Sequence, residues 1–250
     1  MAGTTGIEWT DATFNPWWGC EAVSPGCAHC YAETLADRFT PGLWGAGHRF
    51  RFFGAKHWAE PLRWDRKAEK EGRRIRVFCA SMADVFEERD ELEEPRRRLF
   101  GLIEATPNLD WQILTKRPEF ARDWLISFGH GRYACEDLPR NLWLGVSIEN
   151  ARHTWRADVL REIPAAVRFI SAEPLLGSLF EPQHPLGDPD AWEHFADCDG
   201  DWPCSCLPQM KKPLDLTGID WLIVGGESGR GARPMHPDWA RELRDACLAI

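Results

Sequence analysis

Short apolar runs alternate with amphipathic helical patterns along most of the chain. The runs Arg76–Ser81 (RVFCAS), Trp111–Thr115 (WQILT), Asn141–Ile148 (NLWLGVSI), Val167–Ala172 (VRFISA) and Trp221–Gly225 (WLIVG) read as strands. The aromatic segment Thr10–Gly19 reads as a strand before them. Apolar residues at helical spacing predict helices over Ala28–Phe39, Glu91–Glu104, Glu119–Ser127, Ala151–Glu162 and Pro237–Ile250. Strands that alternate with helices imply βαβ crossovers and a parallel sheet. The uninterrupted apolar runs suit strands covered on both faces. About six such units are too few for a closed eight-fold barrel. A Rossmann-like sheet is the alternative, but no G-x-G-x-x-G follows a strand, and Gly225–Gly231 lacks the lysine of a P-loop.

The alternation breaks once, over Phe180–Thr217. That stretch is acidic, with no Lys or Arg before Lys211, and holds Cys198, Cys204, Cys206 and His194. It reads as an insertion between the fifth and sixth strands (about 180–217) in an otherwise single domain covering 1–250. It is either a surface loop or a second metal site, though its spacing is not that of a standard zinc finger.

The helix over Ala28–Phe39 is preceded by the most informative stretch, Asn15–Tyr31, NPWWGCEAVSPGCAHCY. It spaces Cys20, Cys27 and Cys30 as Cys-x6-Cys-x2-Cys, with a Ser24-Pro25-Gly26 turn inside the first gap. The pair Cys27/Cys30 opens the helix, where backbone N–H groups favour thiolates, the form that binds soft metals. Structural zinc and protein-held iron–sulfur clusters usually take four protein ligands. Three local cysteines therefore leave three readings. One is a zinc loop completed by His29 or a distant cysteine. Another is a set of unrelated buried thiols. The last is a [4Fe–4S] cluster with one iron open to a substrate or cofactor.

Composition narrows the setting. No apolar run reaches membrane-span length, and Met1–Asp11 is too polar for a signal peptide. Nine cysteines without a secretory signal fit a cytoplasmic, metal-binding protein rather than a disulfide scaffold. The net charge of −9 argues against bulk electrostatic attraction to nucleic acid. One local exception is Lys56–Arg76, with eight bases against four acids, either a solvated helix face or a phosphate-facing patch. Polar residues also gather where strands end: Ser81 and Asp84; Thr115, Lys116 and Arg117; Ser147, Glu149 and Asn150; Ser171 and Glu173; Glu227 and Ser228. In β/α barrels those ends carry the active site.

A three-cysteine loop after a first strand and before a helix resembles the radical S-adenosylmethionine (SAM) superfamily. The commoner spacing there is Cys-x3-Cys-x2-Cys with an aromatic residue before the last cysteine; here the first gap is longer and His29 takes the aromatic position. Within that superfamily, FNPWWGC, SPGCAHCYAE, LTKRP, NLWLGVSIEN, RFISAEPLLG and WLIVGGESGRGARPMHPDW are similar to an uncharacterised, phage-associated three-cysteine-motif family. The resemblance implies an α/β fold, a partial (βα)6 TIM-type barrel. It also implies one further apolar strand after the last helix, so the chain is expected to be truncated. It implies that Cys20, Cys27 and Cys30 hold three irons of a [4Fe–4S] cluster, whose fourth iron is chelated by SAM. Lys116 or Arg117 then meets the SAM carboxylate, and Ser147, Glu149 and Asn150 face its ribose side. Gly225 and Gly226 let the backbone approach it, and Glu173 and Glu227 take the substrate or the SAM ammonium. The implied reaction is reductive cleavage of SAM to a 5′-deoxyadenosyl radical, fed by a flavodoxin- or ferredoxin-type reductant, with a nucleic acid or nucleotide as the favoured substrate. A zinc-stabilised nucleic-acid-binding module without catalysis is the competing expectation.

Overall fold

The computed structural model describes residues 5–129, 138–180, 213–229 and 231–250. In chain order the elements are β1 (Ala12–Thr13), β2 (Trp17–Trp18), α1 (Tyr31–Phe39), β3 (Arg51–Phe52), α2 (Ala55–Trp58), α3 (Glu60–Glu71), β4 (Ile75–Cys79) and α4 (Glu93–Glu104). They continue with β5 (Leu109–Thr115), α5 (Pro118–Gly129), β6 (Leu142–Ser147), α6 (Trp155–Arg161), β7 (Val167–Ala172), β8 (Trp221–Val224) and α7 (Pro237–Leu248).

Six strands join in the order β1-β4-β5-β6-β7-β8, every neighbouring pair parallel. They form a curled half-barrel of the TIM type, as the alternation and the resemblance together imply. The apolar runs of β4 to β7 are largely buried, whereas β8 at the sheet edge is buried only at Ile223. Val77, Ile113, Leu144 and Ile170 are fully covered in the core. Phe78, Leu114, Ser147 and Ile223 line the inside of the curl.

Two expectations change. The Thr10–Gly19 segment is not one strand. Asp11 and Phe14 take β4 as partner through Arg76 and Phe78, and then the chain turns away. Trp17–Trp18 pairs antiparallel with Arg51–Phe52 in a separate two-stranded ribbon. The first helix begins at Tyr31 rather than Ala28, because Pro25–Cys27 forms its own short turn and Cys30 sits at the cap position. Its large apolar residues Tyr31, Leu35 and Phe39 are exposed, while the small Ala32 and Ala36 are buried. The sequence stretch 181–212, with Cys198, Cys204, Cys206 and His194, lies outside the described residues.

The basic stretch resolves into ion pairs. Arg63 meets Glu60, Lys67 and Arg73 meet Glu71, Arg74 meets Asp110, and Arg76 meets Asp11. These are surface contacts, worth little individually, but they spend much of the local positive excess. No helix among the described residues is long and apolar enough to cross a membrane.

One glycine fixes how tightly the strands curl. Gly145 in β6 lies beside Phe169 in β7, and a Cβ there would fall 2.3 Å from the Phe169 ring. Phe169 is fully buried, so the ring has little room to yield. Gly145→Ala is expected to lower stability by about 1–3 kcal/mol through overpacking, read as a reduced urea midpoint with an unchanged slope.

Candidate active site

The C-terminal strand ends open into a cavity of about 710 Å³. Its wall includes Cys20, Cys27 and Cys30 together with Ser81, Asp84, Thr115, Lys116, Arg117, Ser147, Ser171, Glu173, Gly226 and Glu227. Three thiols separated in sequence thus meet the ends of five strands in one place.

Each part of the cysteine loop is tied to a different strand end. At the start of the loop, Gly19 donates its N–H to the Met82 carbonyl, and Cys20 donates its N–H to the Leu43 carbonyl. Arg117, just after β5, donates to the Glu21 carbonyl at 2.8 Å and reaches Cys20 Sγ at 4.0 Å. In the middle, Gly26 donates its N–H to Glu149 beyond β6 at 3.4 Å. The Pro25 carbonyl accepts from Arg233 at 2.8 Å, and His29 Nδ1 lies 2.8 Å from Glu227, beyond β8. After the loop, the Tyr31 hydroxyl donates to the Ser81 carbonyl at 3.2 Å.

Asp84 organises the β5 side. It accepts from the Thr115 hydroxyl at 2.7 Å and the Lys116 N–H at 3.0 Å, and pairs with Arg117 at 3.1 Å. Arg117 also lies 3.8 Å from Glu87. Burial lowers the affinity of Arg117 for its proton, but Asp84, Cys20 and Glu87 outweigh it and hold the charge firmly in place. Cys20 moves the other way. Burial and then the charge of Asp84 push its thiol up to about 12, with Arg117 only partly opposing. Local electrostatics therefore disfavour a free Cys20 thiolate, which needs a positively charged partner such as a metal to persist.

Glu149 and Asn150 stand behind the loop rather than in the cavity wall. Glu149 is buried against Arg156 at 3.0 Å. Burial pushes its carboxyl up, but Arg156 and the surrounding donors prevail and keep it below the ordinary value. The Asn150 side chain accepts from Arg152 N–H at 3.0 Å and faces His153 at 3.0 Å, capping the turn after β6. Lys116 extends across the cavity to donate to Ser147 at 3.2 Å. Glu173 opens to the cavity, yet the protein around it lifts its carboxyl above the usual range, with Lys116 opposing. Gly225 packs closely beside it: a Cβ there would fall 2.7 Å from the Glu173 carboxylate, which would have to swing aside. Glu227 is bound by Arg233 through both side chain and backbone. Sequence reasoning missed Arg233, Arg156 and Glu87: Glu87 and the Arg233–Pro25 contact join distant parts of the chain, and the nearer Arg156–Glu149 and Arg233–Glu227 pairs fall in turns that no regular spacing marks.

The Glu227–Arg233 contact carries a pH signature. Hydrogen bonds from Arg233 lower Glu227 from 4.5 to about 2. A depressed carboxyl contributes stability above its unfolded value and loses it as pH falls. The melting temperatures of wild type and Glu227→Gln are therefore expected to differ most above pH ~4.5 and to converge toward pH ~2.

The donor set suits a multi-iron cluster better than one zinc ion. Zinc–sulfur bonds of about 2.3 Å in a tetrahedron bring thiolates to within about 3.8 Å of one another. Among the described residues, the ligand triplet gathered within 4.8 Å is Glu21, His48 and Glu87, and not the three loop cysteines. Thiolates on separate irons need no such closeness. The three soft donors and the open cavity beside them fit a cluster with one iron free.

A family model described as "Protein of unknown function (DUF5131)" matches residues 4–250. The chain belongs to this family. No curated protein matches it. Among solved structures, a spore photoproduct lyase variant with bound AdoMet and dinucleoside spore photoproduct aligns over 98% of this chain and 63% of that one, at 15% identity and a TM-score of 0.51. A second variant with the dinucleoside spore photoproduct aligns over 98% and 74%, at 15% identity and a TM-score of 0.50. A further structure of the same enzyme aligns over 70% of this DUF5131 chain but only 48% of its own length. The DUF5131 chain thus spans less than two-thirds of the first of these proteins, and at such identities the likeness is one of fold.

Proposed function

We propose that this protein is a radical SAM enzyme acting on a nucleic-acid or nucleotide substrate. The observation that carries the reading is the convergence of Cys20, Cys27 and Cys30 with the polar ends of five strands on a single cavity. Its volume is in the range that encloses a ligand of cofactor size. The fold neighbour bound to AdoMet and a dinucleoside supports both the cofactor and the substrate class.

Cys20, Cys27 and Cys30 hold the [4Fe–4S] cluster in this reading. When bound, the cluster supplies the electron that splits AdoMet into methionine and a 5′-deoxyadenosyl radical. The chain's own residues position and shield. Lys116 offers a cation for the methionine carboxylate, held toward the cavity by Ser147. Glu173 offers a carboxylate for the ammonium group or the substrate. Gly226 forms part of the wall, and Gly225 leaves room for Glu173. Phe78, Leu114 and Ile223 make the adjoining wall apolar and exclude water. Glu149 and Arg117 act through the loop they brace, and Asn150 caps the turn that follows Glu149. The electron comes from a small reductant protein of the flavodoxin or ferredoxin type.

The test begins with anaerobic purification and analysis of iron, sulfide and zinc. The reconstituted protein is then reduced with dithionite in the presence of SAM, and 5′-deoxyadenosine is measured by chromatography. Slow uncoupled cleavage is expected, rising when oligonucleotides are added. An intact, reduced cluster whose paramagnetic resonance signal is unchanged by SAM, with no cleavage, overturns the reading. Stoichiometric zinc in place of iron does so earlier.

A further inference from the structure

Next to Cys20 in the chain, Glu21 belongs to a cluster that the proposed chemistry does not use. Glu21, His48 and Glu87 bring three ligand atoms within 4.8 Å of one another. His48 and Glu87 are 5% and 3% exposed. His48 Nε2 and Glu87 Oε1 are both buried without a hydrogen-bond partner. Unsatisfied groups of this kind are costly, and each calls for an explanation.

The geometry supplies one. His48 Nδ1 lies 2.9 Å from the Gly45 carbonyl, so in the neutral ring Nδ1 carries the proton. The lone pair of Nε2 then faces Glu87 Oε1 at 3.5 Å. That is too long for a hydrogen bond between them. It matches the separation of two ligands on one ion, because metal bonds of about 2.0–2.2 Å at a tetrahedral angle place nitrogen and oxygen about 3.4 Å apart. A backbone carbonyl on Nδ1 is also the partner that metal-bound histidines commonly have.

The ring is fixed in place. Phe50 packs edge-on against it at 4.6 Å between centroids. Gly19, at φ 132°, allows its approach, since a Cβ there would lie 3.1 Å from His48 Cδ2. Charge points the same way. Glu21, Asp84 and Glu87 are three carboxylates around one guanidinium, Arg117, and burial lifts the Glu87 carboxyl above its ordinary range, so the group is short of positive charge. Arg89 touches the His48 carbonyl but pairs with Glu91. A divalent cation between His48 Nε2 and Glu87 Oε1 offsets this shortage.

We propose that Glu21, His48 and Glu87 form a second metal site, for a divalent ion of the zinc, manganese or iron(II) class. One imidazole and two carboxylates suit such ions. Glu21 also lines the large cavity, so the coordination positions left over face the space where substrate enters. The site is independent of the cluster assignment.

The test uses the full chain with its cluster in place and oxidised. Mn2+ is titrated by electron paramagnetic resonance, and Zn2+ is measured by elemental analysis after desalting. One ion per chain beyond the cluster iron is expected. His48→Phe, Glu87→Gln and Glu21→Gln are each expected to weaken binding at least ~10-fold. Glu21 is only half-buried, so Glu21→Gln decides the matter should the other two variants fail to fold. Wild type that takes up neither ion, or a folded Glu21→Gln that binds both as wild type does, overturns the proposal. Iron and sulfide measured on the same samples report on the cluster separately.

Discussion

Replacing Cys20, Cys27 or Cys30 with Ala, one at a time, is expected to abolish a brown, oxygen-sensitive chromophore. The three thiols line one cavity wall, and no fourth cysteine among the described residues joins them there. In the proposed cluster one iron has no protein ligand, and loss of a further thiolate leaves two, too few to retain it. Cys20 is the strictest case. Its thiolate is disfavoured by burial and by Asp84, so it needs a metal to persist, and Cys20→Ala also removes the side chain that Arg117 reaches. Cys79 is the control. It is fully buried within β4 and away from the cavity wall, and Cys79→Ala should retain the chromophore. Iron and sulfide content and the visible absorption band are the measurements. A Cys20→Ala protein that reconstitutes a full cluster would defeat the assignment.

The second large effect separates two neighbouring residues that look alike in the sequence. Lys116 and Arg117 are both cations at the end of β5. In the structure Arg117 is 14% exposed at its side chain and is shared among Asp84, Glu87 and the Glu21 carbonyl. Removing one partner of a buried ionic network leaves the others uncompensated, at a cost of about 3–5 kcal/mol. Arg117→Met is therefore expected to lower stability by that amount and to loosen the cysteine loop. Lys116 instead reaches into the cavity and donates from its amine to Ser147. Lys116→Met should unfold near the wild-type urea midpoint and keep its cluster. It should weaken SAM binding by about 10- to 150-fold, the worth of one charge-assisted hydrogen bond of roughly 1.5–3 kcal/mol. Urea titration and a SAM binding isotherm measure the two effects. Wild-type stability in Arg117→Met would remove the bracing role.

This pair also shows what was legible in the sequence. The strand of Trp111–Thr115 and the polar cluster after it could be read from apolar periodicity and composition. Which of two adjacent cations faces the cavity depends on Asp84 and Glu87, on a different strand's loop, and no spacing reports that. The same limit explains Glu149. A carboxylate after a strand end reads as a ligand-binding group, but Arg156, seven residues on at the start of the next helix, turns it into a support for Gly26. Helix α1 shows a different limit. Leu35 and Phe39 are large and recur at helical spacing, yet the face that packs is Ala32 and Ala36, where small side chains permit close approach. Helical periodicity identifies a face only when the residues that pack are also the large ones.

The cysteine loop is fastened through Arg117, Glu149 and Arg233 to three different strand ends. Its shape is therefore set when the sheet assembles. The ordering entropy of about 1–2 kcal/mol per residue has been met before any metal arrives. A zinc finger is the opposite case, since its metal supplies the folding free energy and its removal unfolds the chain. Here oxygen damage to the cofactor would leave an intact receptacle, and inactivation would be followed by reloading rather than by unfolding and proteolysis.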